Sequence, residues 1–140
     1  MRPDQAKRII IKMLVYFNGH IGTDELIQLD DVAIAMRTSK KNLNRACKLV
    51  LGVNAYALIL QLKMQRAYYF SNIDGLDEQE IARILVYSDP SSLCHAFKKH
   101  TGMTLKTCTK KDLQTPLQLK LDALINSDDI DECFTIPNLK

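Results

Sequence analysis

Residues 81–104 read IARILVYSDPSSLCHAFKKHTGMT, and this stretch carries the most informative structural pattern in the chain. Apolar residues recur at helical spacing on both sides of a short polar break, which predicts two helices separated by a tight turn. Asp89 followed by Pro90 is typical of an N-cap with proline at the first helical position, and Gly102 is typical of a helix end. The stretch therefore predicts a short helix, a turn of three or four residues, and a second helix.

The same pattern occurs once more, earlier in the chain. Residues 43–53 (LNRACKLVLGV) recur as residues 93–103 (LCHAFKKHTGM), fifty positions later. Residues 32–39 (VAIAMRTS) recur as residues 81–88 (IARILVYS), at an offset of forty-nine. An internal repeat of this kind indicates a duplicated supersecondary unit, and each copy has helix-turn-helix geometry.

The rest of the chain shows helical spacing of apolar residues and almost no strand alternation. Ser39 and Asn54 are N-cap candidates, and Asn54 opens a long apolar helix that ends in a turn at residues 72–75. A further regular helix is expected to begin near Thr104, and Thr115 with Pro116 opens a C-terminal one. We predict an all-α fold in which two helix-turn-helix subdomains are joined by a long linker helix, with about seven helices plus a C-terminal amphipathic helix.

Four segments follow from this pattern. They are a first helix-turn-helix subdomain over 1–53, a linker helix over 54–74, a second subdomain over 75–112, and an acidic tail over 113–140. The formal net charge of +3 conceals a contrast between them. Through Asp112 there are 17 Lys and Arg against 11 Asp and Glu, a net charge of +6, whereas the remainder carries 2 against 5, a net charge of −3.

The tail carries a narrow apolar face ahead of the acidic segment SDDIDE at 127–132. Its members are Leu117, Leu121, Leu124 and Ile125. We expect this helix to pack back on the second subdomain, because amphipathic helices commonly dock in this way. The alternatives are a partner-binding or dimerising helix that uses these four residues, or an acidic segment that shields the basic part of the chain.

Composition disfavours several classes of protein. With 46% apolar and 25% charged residues the chain can form a core, and no apolar stretch reaches the roughly 18 residues of a membrane span. The N-terminus lacks signal-peptide features, so we expect a cytoplasmic protein with no membrane partner. The four cysteines are scattered without a C-x-x-C pair, and the three histidines accompany no nucleophile motif. We therefore expect no metal, no cofactor and no catalytic site.

The second helix of each copy has two chemically distinct faces. Its apolar residues at i and i+4 must point to the core, which leaves the polar residues outside. In the first copy these are Lys41, Asn44, Arg45 and Lys48; in the second they are Ser91, Cys94, His95 and Lys98. Arginine matches the two acceptors of guanine, asparagine can read base edges, and lysine neutralises phosphate. The first copy therefore suits both base recognition and phosphate binding in DNA. The second copy suits contact with DNA and positioning of the protein on the duplex.

From Ile9 to about Thr109 the chain resembles the DNA-binding domain of the AraC/XylS family of bacterial transcription regulators. Residues 81–104 resemble the most recognisable stretch of that family, namely a helix, an aromatic-Ser turn, Asp-Pro, and Leu-x-x-x-Phe-Lys-x-x-x-Gly. Residues 29–53 match its more variable first half. Departures from the family pattern are Val86 in place of a usual glycine, Cys47 in place of a core aromatic, and Cys108 where tyrosine is common.

The resemblance implies two recognition helices that enter successive major-groove segments on one side of the duplex. A helix over residues 54–71 would span roughly 27 Å, which is compatible with two recognition helices about one DNA turn apart. The implied base-facing residues are Lys41, Asn44 and Arg45 in the first helix, and Pro90, Ser91, Cys94 and His95 in the second. Pro90 and His95 cannot make the bidentate contacts that some members make. The predicted DNA-binding set is Lys40, Lys41, Asn44, Arg45, Lys48, Ser91, Ser92, His95, Lys98 and Lys99.

The predicted function is that of a sequence-specific regulator that binds double-stranded DNA, most naturally an activator that contacts RNA polymerase. The alternative is a protein-interaction module on the same scaffold, which binds another regulator or is autoinhibited by its acidic tail. A redox role for Cys94 is a further alternative, because Lys98 lies one turn away and could favour the thiolate.

Overall fold

The computed structural model describes residues 1–20 and 28–126, and within these ranges the chain forms seven α-helices, one 3₁₀ helix and no strand. The all-α prediction is confirmed. The helices are α1 (Pro3–His20), α2 (Leu29–Ala35), α3 (Lys40–Leu51), α4 (Ala55–Asn72), α5 (Glu78–Ile84), α6 (Pro90–Thr101), the 3₁₀ helix (Lys110–Leu113) and α7 (Pro116–Ile125).

The apolar side chains gather in two clusters. The first joins α1, α2, α3, the N-terminal half of α4, and α7. The second joins the C-terminal half of α4 with α5, α6 and the segment that ends at Leu113. Leu43 and Cys47 of α3 are fully buried in the first cluster, and Leu93 and Phe97 of α6 are fully buried in the second. Both α3 and α6 therefore direct their i, i+4 apolar pair inward, as the repeat predicts.

Helix α4 serves both clusters. Leu58 and Leu62 lie in the first cluster, whereas Met64 and Ala67, within the next two turns, lie in the second. Asn54 begins the helix as predicted, because its side chain accepts a hydrogen bond from the Ala57 N–H at 2.8 Å. This 18-residue helix has buried side chains on several faces and therefore contributes to both cores.

The two turns of the duplicated unit have the same backbone geometry. Arg37 and Val86, each the second residue after the end of its helix, adopt left-handed φ values of 53° and 63°. In both turns two nested hydrogen bonds of the Schellman type close the preceding helix. They are Arg37 N–H to Ile34 O (3.1 Å), Thr38 N–H to Ala33 O (3.0 Å), Val86 N–H to Arg83 O (3.2 Å) and Tyr87 N–H to Ala82 O (2.8 Å). Two different sequences therefore form one turn.

The second helix of each unit also begins and ends in the same way. Ser39 accepts from the Asn42 N–H at 3.2 Å, and Asp89 accepts from the Ser92 N–H at 2.7 Å. The helices end at Gly52 and Gly102, whose φ values of 75° and 81° suit a residue without a Cβ. These caps confirm that the sequence repeat is a repeat of structure.

The helix expected near Thr104 is not formed, and that prediction is wrong. The hydroxyls of Thr104 and Thr107 bond to each other at 2.8 Å, and each also accepts the other's backbone N–H at 3.2 Å. Such local side-chain bonds compete with helix propagation. A short 3₁₀ helix follows, for which Thr109 and Asp112 form a reciprocal capping box.

The C-terminal helix packs on the first cluster, so the expectation that it packs on the second subdomain is also wrong. Leu121 and Leu124 of α7 are buried in the first cluster, and Leu117 and Ile125 pack against it. Leu121 and Leu124 are thus covered by the chain itself, whereas Leu117 and Ile125 are half-buried, and partner contact through this helix stays a prediction. The acidic segment at 127–132 lies outside the described residues.

Replacement of Val86 by glycine is expected to stabilise the protein. A β-branched residue with φ of 63° is strained, and the strain costs about 1–3 kcal/mol. Glycine relieves it but adds unfolded-state entropy of roughly 1 kcal/mol, and the half-exposed valine loses little burial. The expected net gain in the free energy of unfolding is about 1 kcal/mol, measured by urea denaturation. Arg37→Gly, at the matching turn without β-branching, should gain less. A loss of stability in Val86→Gly would contradict this account of the turn.

Candidate nucleic-acid interface

The outer face of α3 is a row of exposed cations. Lys41, Arg45 and Lys48 are exposed and spaced at i, i+4 and i+7, which places them on one side of the helix. They line an open cavity of about 780 Å³ together with Met1, Asn44 and Leu49. The three cations thus share one open surface, flanked by two exposed apolar side chains.

Lys40 differs from these cations because it has a partner within the protein. Its Nζ lies 3.0 Å from Oδ1 of Asp30 on α2, and both side chains are exposed. An exposed pair of this kind contributes at most about 1 kcal/mol. Lys40 can therefore exchange the carboxylate for a phosphate at little cost.

Asn44 has a structural role that the sequence did not indicate. Its Oδ1 accepts a hydrogen bond from the Ala55 N–H at 2.9 Å, and Ala55 is the first residue of α4. The Asn44 side chain therefore links α3 to the start of α4, because it accepts from a backbone N–H that has no partner within its own helix. Only the amide Nδ2 of Asn44 remains outside this bond as a donor for a base edge.

The outer face of α6 carries fewer charges near its N-terminus. Ser91, His95, Lys98 and Lys99 are exposed, and both lysines lie in the last turns of the helix. Ser92 is half-buried. Its backbone N–H donates to Oδ1 of the N-cap residue Asp89, and its hydroxyl oxygen lies 3.2 Å from that of Ser88. The N-terminal part of this face therefore offers short polar groups, and the C-terminal part offers positive charge.

The surroundings of Cys94 disfavour its thiolate form. Burial, followed by the hydrogen bond to the Glu78 side chain and the charge of that carboxylate, raises the pKa of the Cys94 thiol. A reactive cysteine needs the opposite shift, because the thiolate is the nucleophile. The structure gives the redox alternative no support.

A family model described as a helix-turn-helix domain, of the AraC type, matches residues 32–111, which is more than half of the chain. The chain belongs to the AraC/XylS family. It is a DNA-binding transcription regulator whose partner is double-stranded DNA. None of the curated proteins or solved structures compared with the chain matches it. Helices α1 and α7 lie outside the matched range.

This AraC/XylS regulator has two basic residues beside the α3 surface that the sequence analysis missed. Arg8 and Lys12 of α1 are exposed and line a cavity of about 490 Å³ together with Asn42 and Arg45 of α3. Their i, i+4 spacing, on the side of α1 away from its apolar stripe, was the available signal. Their nearness to α3 depends on tertiary packing of α1, which local spacing does not reveal.

The described residues also bear on metal binding and membrane insertion. Within residues 1–20 and 28–126, no three His, Cys, Asp or Glu side chains gather in a way that could hold a metal ion. No single described helix of the AraC/XylS regulator is long and apolar enough to cross a membrane; α3 and α4 pass that test only as a pair bent by 72°.

Replacement of Asn44 by alanine is expected to lower the free energy of unfolding by about 1 kcal/mol, because the Ala55 N–H loses its partner at a partly buried site. Asn44→Asp keeps the acceptor and should retain most of the stability, while its negative charge weakens DNA binding. Chemical denaturation and a binding titration of both variants check this. Equal unfolding free energies for Asn44→Ala and the parent protein would contradict the structural role.

Proposed function

We propose that this regulator binds DNA sequence-specifically by inserting α3 and α6 into successive major-groove segments on one side of the duplex. One observation carries the proposal: both helices bury their i, i+4 apolar pair and expose a polar face with cations, in two units with the same caps and turns. In helix-turn-helix proteins the second helix of the unit is the one that lies in the major groove.

The two helices contribute different chemistry in this proposal. Arg45 reads guanine, Asn44 donates from Nδ2 to a base edge, and Lys41 lies beside both on the open face of α3. Lys48 and Lys40 neutralise phosphates at the flanks. On α6, Ser91, Ser92 and His95 face the groove edge, whereas Lys98 and Lys99 bind phosphate. Sequence discrimination is therefore concentrated in α3.

Helix α1 extends the phosphate contact. Arg8 and Lys12 open onto the same cavity as Arg45, so a duplex seated on α3 brings its backbone toward them. Cations that contact phosphate add affinity without sequence preference. These two residues supplement the lysines of α3 and α6.

The proposal includes activation of transcription through contact with RNA polymerase, in the cytoplasm, without enzymatic activity. Support for this part comes from the family resemblance. The alternative function, a protein-interaction module, draws on the weaker base-reading chemistry of Ser91, Ser92 and His95. Salt dependence of DNA binding separates the two functions, because only phosphate neutralisation releases counterions from DNA.

The test is selection of bound sequences from random double-stranded DNA, followed by titration of the selected site at several salt concentrations. If about six phosphates are neutralised, affinity should fall roughly a thousandfold between 50 and 200 mM salt. A shallow salt dependence, or no binding at low salt, would contradict the DNA proposal and favour the interaction module.

Arg45→Ala and Lys48→Ala are expected to have different effects on the selected site. Loss of a bidentate base contact should relax preference at one base position by about 1–3 kcal/mol, whereas loss of a phosphate contact should weaken all sequences alike and reduce the salt slope by about one. Both side chains are exposed, so the fold is unaffected and each variant is the control for the other. An unchanged ranking of sites in Arg45→Ala would contradict the assignment of α3.

A further inference from the structure

A buried glutamine connects the two halves of the molecule. Gln61 lies in the middle of α4 and is fully buried. Its Oε1 accepts from Nε2 of His100 on α6 at 2.5 Å, and its Nε2 donates to Oε1 of Gln118 on α7 at 3.0 Å. The same Nε2 lies 3.5 Å from the Leu113 carbonyl oxygen at the end of the 3₁₀ helix. One side chain thus joins four elements.

The hydrogen bonds of this group run in one direction. His100 donates to Gln61, Gln61 donates to Gln118, and Nε2 of Gln118 donates to Oδ1 of Asp122 at 2.8 Å. Burial lowers the pKa of His100, which keeps the imidazole neutral with its donor on Nε2. Serial hydrogen bonds of this kind polarise one another, and loss of one member leaves buried groups unsatisfied.

Helix α7 holds the first recognition helix from its other side. Leu121 and Leu124 are buried in the first cluster, with α3 and α4 as neighbours. Nζ of Lys120 donates to the Leu51 carbonyl oxygen at 3.4 Å, at the C-terminal end of α3. A cation there also complements the helix dipole. Helix α7 is therefore bonded directly to the end of α3, and through Gln61 to His100 near the end of α6.

Helix α4 contributes side chains to both cores, and the contacts of α7 add a second connection between the two units. Contacts beyond a shared element restrict the relative motion of two packed units further. Lys120 and Leu121 tie α7 to the first unit, and Gln118 ties it to Gln61 and so to the second. The α7 members of these contacts, Gln118, Lys120 and Leu121, lie outside residues 32–111, so the connection is a property of this chain beyond the matched domain.

We propose that α7 is a strap, anchored on Gln61, that holds α3 and α6 in one relative orientation. Gln61 is then a positioning residue that determines which spacing between two DNA half-sites the protein accepts. This inference rests on the proposed function for its consequence on DNA, but the rigidity itself is a property of the free protein.

The experiment compares the selected site with the same site carrying one inserted base pair between its halves. One base pair shifts a half-site by about 3.4 Å and rotates it by roughly 35°, which a rigid pair of helices cannot follow. The parent protein should prefer the original spacing by about tenfold or more. Gln61→Leu, which retains side-chain volume but leaves His100 and Gln118 without their partner, should prefer it by less than about threefold.

A control separates orientation from stability. Ile10→Val weakens the same first cluster from α1 and leaves the hydrogen bonds of Gln61 in place, so it should lower affinity for both sites equally, if at all, and keep the tenfold ratio. If Gln61→Leu fails to fold, Gln118→Ala removes the α7 end of the same connection. A preserved spacing ratio in the Gln61 or Gln118 variant would overturn the proposal, since the network would then be only part of the core.

Backbone ¹⁵N relaxation of the free protein gives a readout independent of DNA. In the parent protein the amides of α6 and α7 should be as rigid as those of α4, and in Gln61→Leu they should show lower order parameters or added exchange. Equal rigidity of α6 and α7 in the parent protein and the variant would overturn the strap even if DNA binding is confirmed. Absence of DNA binding together with loosening of α6 and α7 in the variant would instead overturn only the proposed function.

Discussion

The structure depends on the burial of α4 on more than one side. A helix with a single apolar stripe serves one core, whereas α4 must present Leu58 and Leu62 to the first cluster and Met64 and Ala67 to the second. Its polar residues then become buried as well and need partners inside the protein. Gln61 finds them in His100 and Gln118, and Arg66 donates to Asn18 while its guanidinium lies 5.8 Å from the Phe17 ring centroid. The connections between the two units follow from this shared helix.

Helices α3 and α6 are built by the same local chemistry around different side chains. A side-chain cap starts the helix, a left-handed glycine ends it, and a buried i, i+4 pair fixes which face is exposed. Cys47 in the first unit and Phe97 in the second occupy the same position of that pair. Burial raises the pKa of the Cys47 thiol to about 12, so it behaves as a small apolar residue. The fold tolerates this exchange because the cap and the face are decided elsewhere.

Local chemistry explains what the sequence predicted correctly. Ser39, Asn54, Asp89 and Thr115 cap their helices through bonds to residues three positions away, and such bonds are readable from spacing alone. The errors have two causes, and the first is local competition for hydrogen bonds. Thr104 failed to start a helix because its hydroxyl prefers Thr107, which is a local competition that propensity underestimates.

The other cause is tertiary packing across long sequence separations. The docking of α7 on the first cluster, the bond from Ala55 to Asn44 and the position of Arg8 beside Arg45 all depend on which helices meet in space. Periodicity identifies a face that must be buried, but it does not identify the partner of that face. The outward polar faces of α3 and α6 were therefore predictable as a set, whereas the contact of Asn44 with Ala55 and the docking of α7 required the three-dimensional arrangement.

We propose that two recognition helices, held in one orientation, bind one side of a DNA duplex. Hydroxyl-radical footprinting of the selected site is the decisive measurement, because cleavage reports backbone contact at each nucleotide. We expect two protected tracts on the same face of the duplex, separated by about 10 base pairs, the repeat of one helical turn. A single protected tract, or two tracts on opposite faces, would contradict it.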